Sequence, residues 1–341
     1  MKARFKALAR DLVAATLYKT GATRPTDAAR LTIVTFHRVL TPEQLAEYPI
    51  SSIAVTPDEL GWFLQFFGEY FECGALDRLH ERWARGESFS RPPLAITFDD
   101  GQRDNFENAK PVLDRAGLRA TFFVPTQAAE TGELLWHDRA AYAASSWLRR
   151  DASAALAAAQ RLGVPSDVAL HELPASAVEA LKRLPSEERE RWISQAHEQC
   201  GGQTVPSWDG LMSFHELATL QREEHEIGSH SHSHPILTLL DDAALLHELS
   251  HSRAVLEQRL GRAVTSFCYP NGSADERVIR AAEAAGYQRA VTTRFGLNGF
   301  GTNPFRMSRC DMQAQTARSA GGALSTSRLA WRMSGLYPGL G

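Results

Sequence analysis

Cysteine is scarce. The chain holds four in 341 residues, Cys73, Cys200, Cys268 and Cys310, and none forms a CxxC pair. That spacing argues against a disulfide framework and a zinc knuckle, and suits thiols in a reducing compartment. No run reaches the roughly eighteen apolar residues that a membrane span needs. The basic N-terminus, MKARFKALARDLVAATLYKTG, has no clean signal-type apolar core, because Asp11 interrupts it and no A-x-A site follows. The expectation is a cytoplasmic protein. A net charge of −3 gives no general reason to expect nucleic acid as a partner. No internal repeat is visible. Histidine is absent after His251, and acidic residues are absent after Asp311.

Apolar residues make up 43% of the chain, enough for a large core, and single α/β barrels of this length are ordinary. The most informative stretch is LAITFDDG, Leu94 to Gly101. A continuous apolar run of this kind reads as a strand covered on both faces. Asp99 and Asp100 then stand at its carboxyl end, where parallel α/β folds place their chemistry, and Gly101 permits a sharp turn. Adjacent carboxylates repel, so a metal on one and a cation or proton beside the other would offset them. The alternative is a solvated turn that caps a helix.

Strand and helix alternate along the rest of the chain. LTIVTF, Leu31 to Phe36, is a strand with His37 and Arg38 at its end. Thr56-Pro57-Asp58-Glu59 and Ser213 to Glu216 are helix starts of the capping-box type. TFFV at Thr121 to Val124, Glu226 to Gly228, Val264 to Tyr269 and Gln288 to Thr292 add strands, with short connections throughout. The pattern implies a parallel α/β barrel or sheet. Between about residues 130 and 210 the chain turns Ala-, Arg- and Glu-rich with helical periods, which suggests a helical insertion. Trp136, His137 and Asp138 near its start are candidate sugar contacts, although a packed Trp is the commoner outcome. Residues 1–30 read as an amphipathic helix and linker, with Phe5, Leu8, Leu12 and Val13 on one face. It either rests on an anionic membrane or packs on the domain. Arg318, Arg328 and Arg332 beside Leu329, Trp331 and Tyr337 make residues 311–341 a basic tail, in keeping with peripheral contact at an inner membrane.

His230-Ser231-His232-Ser233-His234 puts three imidazoles in five residues. Alternate residues of a loop share a side, so any two of them could meet one metal. With Asp100 they make two imidazoles and a carboxylate and leave room for water and substrate. Such a set suits Zn²⁺ in a hydrolytic site.

These motifs resemble the polysaccharide deacetylases with NodB homology, carbohydrate esterase family 4. Thr97 to Gly101 matches the family's TFDDG, and His230 to His234 matches its H-[ST]-x-x-H. A third motif, normally an Arg-containing turn, stands altered as Phe267-Cys268-Tyr269-Pro270-Asn271-Gly272. The likeness spans roughly residues 31–125 and 211–310. It implies a distorted (β/α) barrel of about seven parallel strands over residues 31–310, carrying the helical insertion. It also implies a divalent metal, most simply Zn²⁺, on Asp100, His230 and His234. Asp99 would be the catalytic base, and Ser231 would hold the loop. Asn271 would give a backbone N–H to the oxyanion, with Tyr269 in the same turn; Trp136, from the insertion and not from a family motif, is the further candidate beside the substrate.

Two departures stand out. The third-motif Arg is Cys268 here, and Arg309, in FRMSR, is the substitute candidate. The family's general-acid His near the C-terminus is missing. Some relatives acting on exopolysaccharides carry that His on the first strand, in a circularly permuted order, and His37 fits that position. The activity implied is metal-dependent removal of N-acetyl groups from an amino sugar in a polysaccharide, oligosaccharide or lipid-linked saccharide. The alternatives are a catalytically lapsed glycan-binding protein and a deformylase of a lipid-linked amino sugar. A glycosidase using Asp99 and Asp100 is disfavoured, because sequence neighbours at one strand end cannot easily face opposite sides of a glycosidic bond.

Overall fold

The computed structural model describes residues 2–202 and 205–337, the side chains of residues 2–5 excepted. The strands in chain order are β1 (Thr32–Phe36), β2 (Arg38–Val39), β3 (Ala54–Val55), β4 (Glu72–Gly74), β5 (Pro93–Phe98), β6 (Thr121–Val124), β7 (Glu226–Ser229), β8 (Ser266–Cys268), β9 (Arg289–Phe295) and β10 (Met307–Asp311). Every residue of β1 and β5 is buried, as their continuous apolar sequences require. The main sheet is parallel throughout, in the order β1-β10-β9-β8-β7-β6-β5-β4. β1 also pairs with β5, from Thr32 opposite Leu94 to Phe36 opposite Phe98. Seven strands therefore close a (β/α) barrel, and β4 extends from β5. The short β2 and β3 pair separately.

Side-chain alternation divides each strand between an interior and an outer layer. Ile33, Ala95, Phe123, Cys268, Val291 and Met307 share one buried cluster, which Leu76, Leu79 and Trp83 of the helix Leu76–Ala84 join. Val34, Phe36, Ile96, Phe98, Phe122 and Phe267 belong to the other face and to the helices outside. Asp99 and Arg309 continue the inward series, two residues beyond Thr97 and Met307. The carboxyl ends of β1, β5, β7 and β8 carry His37, Asp99, His230 and Tyr269.

Between β6 and β7 lie the helices Trp136–Arg150, Ala152–Arg161, Leu173–Leu181 and Ser186–Cys200. They bury their own cluster, which includes Trp136, Trp147, Leu173, Leu181 and Ile193. Arg38 ties this layer to the barrel. It is 1% exposed, and its guanidinium donates to Asp104 at 2.7 Å and to Asp209 at 2.7 Å, with Asp138 at 3.6 Å. Tyr48 and Gln102 donate to Asp138, and Tyr142 donates to Asp209. Burial outweighs the Arg38 attraction at Asp104 and pushes its carboxyl up to about 6.

The helix Lys2–Lys19 is held by the fold. Asp11 pairs with Arg328 at 3.2 Å and accepts from the Ala320 N–H, Ala14 is fully buried, and the Tyr18 and Tyr70 hydroxyls share a hydrogen bond. Leu8, Leu12 and Val13 stay exposed. The basic C-terminal segment is drawn inward through Leu329, Ala330, Trp331 and Met333 of the helix Thr326–Met333. No helix among the described residues is long and apolar enough to cross a membrane.

Arg38→Met would leave three buried carboxylates without their shared cation. The expected loss is about 3–5 kcal/mol of stability, read by denaturant unfolding. A loss under about 1 kcal/mol, the effect of an ordinary substitution, would contradict this role for Arg38.

Candidate active site

Two consecutive carboxylates can serve different partners only if the backbone turns between them. Asp100 sits in the left-handed region at φ 72°, followed by Gly101 at φ 65°. Asp99 thus points into the barrel and Asp100 points along its mouth. Ser231 (φ 67°) and His234 (φ 58°) are left-handed as well, and the Ser231 hydroxyl accepts the His234 N–H at 3.1 Å. Non-glycine residues in this region cost about 1–3 kcal/mol each and gather where a site demands them.

The result is a tight triangle. Asp100 Oδ1 lies 3.3 Å from His230 Nε2 and 3.3 Å from His234 Nε2, and the two nitrogens are 3.2 Å apart. His230 Nδ1–H donates to the Cys268 carbonyl at 2.7 Å, which leaves Nε2 as the nitrogen turned toward Asp100 and His234. Burial lowers the His234 imidazole to about 4, so it is neutral near pH 7. Burial would raise the Asp100 carboxyl, but hydrogen bonds from His230 and His234 hold it well below the usual range. Three buried groups, each able to give an electron pair to a metal, thus face one point. Tetrahedral zinc with nitrogen and oxygen ligands sets its donors about 3.4 Å apart, so the residues present fit such an ion.

Asp99 has a separate partner. Its Oδ1 and Oδ2 accept from Arg309 Nη1 and Nη2, both at 2.7 Å, a bidentate pair with Arg309 1% exposed. The guanidinium also donates to Thr35, Thr97 and the Thr292 carbonyl. Burial would raise the Asp99 carboxyl, but the Arg309 charge and hydrogen bonds lower it below its ordinary value. Cys268 Sγ sits 3.2 Å from Arg309 Nη2 and 3.5 Å from Asp99 Oδ2. The guanidinium that the third motif lacks thus arrives from β10. Asp99 and Asp100, taking different partners, do not face one another across a bond.

A cavity of about 390 Å³ opens over these groups. His37 lines it, with Nε2 3.9 Å from Asp99 Oδ2 and its side chain 26% exposed. Asn271 lines it from a left-handed turn (φ 57°). Gly272 follows, where an added Cβ would sit 2.0 Å from Thr293 Oγ1. Trp136 and Tyr269 also border the cavity but are turned inward. Trp136 is 5% exposed, its Nε1–H donates to the His234 carbonyl, and Arg189 lies over its ring. Tyr269 is fully buried, its hydroxyl donating to the Phe305 carbonyl. Both side chains support the loops beneath the site. The insertion contributes Val178, Glu179 and Lys182 as one wall.

His137 was named in the sequence only as a possible sugar contact. The fold brings its Nε2 to 3.7 Å from Asp100 Oδ2 and 3.5 Å from Asp138 Oδ2, beside the His234 ring. Its one sequence signal is the neighbouring Asp138, a carboxylate at the first turn of a helix.

The polysaccharide deacetylase family model matches residues 86–160 and 192–290, just over half of the chain. Among solved structures, the Streptococcus pyogenes deacetylase PplD in complex with acetate aligns at TM-score 0.59 and 16% identity, over 89% of this chain and 98% of that one. IcaB from Ammonifex degensii aligns at 0.57 and 15%, over 89% and 97%. The BpsB deacetylase domain from Bordetella bronchiseptica aligns at 0.52 and 14%, over 84% and 97%. Identities this low speak for the fold. No curated protein matches the chain at a significant level. With the barrel and the family match together, this chain belongs to the polysaccharide deacetylase family and is a carbohydrate N-deacetylase.

Proposed function

We propose that the protein hydrolyses the N-acetyl amide of an amino sugar in a polysaccharide, oligosaccharide or lipid-linked saccharide. It would do so at a divalent ion, zinc for preference, held by Asp100, His230 and His234. The carrying observation is the triangle of donors at 3.2–3.3 Å with an ionised carboxylate beside it. A bound ion of this kind supplies a Lewis acid and lowers the pKa of water toward neutrality.

The chain's own residues divide the proton work. Asp99 accepts a proton from the attacking water. Arg309 keeps that carboxylate ionised and fixed in the barrel. His37 donates a proton to the departing amine as the amide C–N bond breaks and the new C–O bond completes acetate. Its place on β1, ahead of the Asp motif, is the one a permuted motif order would give it. The turn at Asn271 supplies a backbone N–H to the developing oxyanion. Tyr269 and Trp136 act from beneath, keeping the Asn271 turn and the His234 loop in place.

The acetyl group is favoured over formyl by the S. pyogenes neighbour, which was solved with acetate. The lapsed-protein alternative was motivated by the missing third-motif guanidinium, and Arg309 at Asp99 removes that motive. A cytoplasmic location and a peripheral membrane contact through Leu8, Leu12 and Val13 belong to this proposal.

Asp99→Asn should lower kcat for acetate release from N-acetylglucosamine oligomers by about 10²–10⁴-fold, followed by an acetate-coupled assay. Equal rates would refute Asp99 as the base, and formate release from N-formyl sugars with no acetate would refute the acyl group. Arg309→Met should lower kcat more than KM, with Arg309→Lys recovering part of the loss because one ammonium replaces a two-pronged fork. Identical kinetics in both would contradict the role. Chelation should abolish turnover and Zn²⁺ should restore it; turnover that survives complete metal removal would refute metal dependence.

A further inference from the structure

His232 points away from the catalytic triangle, although it lies between two of its members. Its partners are on the helix Asp242–Leu260. His247 and His251 stand one turn apart there, their rings stacked at 4.8 Å and 13°. The His232 ring meets His251 edge-on at 4.6 Å and His247 at 5.8 Å. One nitrogen from each of the three rings lies within 4.8 Å of the others.

The arrangement is built from three sides. Glu248, on the same helix and buried, accepts from the backbone N–H groups of His232 at 2.8 Å and Ser233 at 2.9 Å, and from the Ser233 hydroxyl. That clamp sets His232 over the helix. The Gln127 N–H donates to the His232 carbonyl at 3.0 Å, which holds the loop from the other side. The Thr126 hydroxyl occupies His232 Nδ1 at 2.8 Å and leaves Nε2 for another partner. Three imidazoles thus gather at a solvent-accessible edge, with no carboxylate needed inside the cluster.

We propose that His232, His247 and His251 form a second metal site, for a borderline divalent ion such as Zn²⁺, Ni²⁺ or Cu²⁺, on the outer side of the loop that carries His230 and His234. Imidazole is a preferred ligand for these ions, and water completes the coordination. A tetrahedral ion sets its ligand nitrogens about 3.4 Å apart and lies in the plane of each ring, so the exposed His247 side chain would turn out of its stack on His251 as the ion binds. An ion bound here pins the loop to the helix in parallel with Glu248. The site shares no ligand with the catalytic triangle and does not depend on the function proposed above.

The test is equilibrium dialysis of untagged, chelator-stripped protein against Zn²⁺, with bound metal measured by elemental analysis. Wild type is expected to take up a second equivalent. His247→Ala/His251→Ala, changed at partly exposed helix positions, is expected to lose that equivalent or weaken it by more than about tenfold. Asp100→Asn is expected to keep it while losing the other. A folded double variant with the same stoichiometry and affinity as wild type would overturn the proposal. So would a wild type whose single equivalent disappears with Asp100.

Discussion

Three buried metal-ligand groups meeting at one point need a positive charge among them, a shared proton or a metal ion. Asp100, His230 and His234 meet in this way at the mouth of the barrel. Asp100, Ser231 and His234 take left-handed backbone, three of the five described non-glycine residues that do so. The surrounding contacts serve the same point. The Cys268 carbonyl fixes the His230 tautomer, Trp136 holds the His234 carbonyl, and Glu248 clamps the loop from behind.

The second charge problem is Asp99, buried one residue away. Its solution is the Arg309 fork, threaded through the barrel from β10 and steadied by Thr35 and Thr97. Position 268 faces the same interior. A cysteine there is small enough to admit the guanidinium, which packs at 3.2 Å from the sulfur. A charge removed from one strand end and supplied by another keeps the same local balance. The third-motif departure therefore leaves the carboxylate partnered.

What could be read from the sequence was whatever is local. LAITFDDG carries its strand, its turn and its two carboxylates within eight residues, and HSHSH carries both imidazoles on one loop. The barrel followed from buried strands alternating with capped helices. Groups that meet only through closure were harder. Arg309 could be suspected but not placed, because its reach to Asp99 depends on β10 lying next to β1 and on the inward alternation of both strands. His137 reaches Asp100 from the helical insertion, whose packing no strand pattern reveals. Trp136 and Tyr269, expected beside the substrate, border the cavity with their polar atoms turned to backbone carbonyls. His232 drew attention as a member of the HSHSH run, yet its partners are a turn apart on a helix that only the fold brings near.

The central claim is that one cation occupies the space between Asp100 Oδ1, His230 Nε2 and His234 Nε2. The most direct measurement is anomalous diffraction at the zinc absorption edge from crystals of protein purified without chelator. The account predicts a peak about 2.0–2.2 Å from each of those three atoms. Crystals of active protein with no anomalous scatterer at that point, under metal-replete conditions, would contradict it.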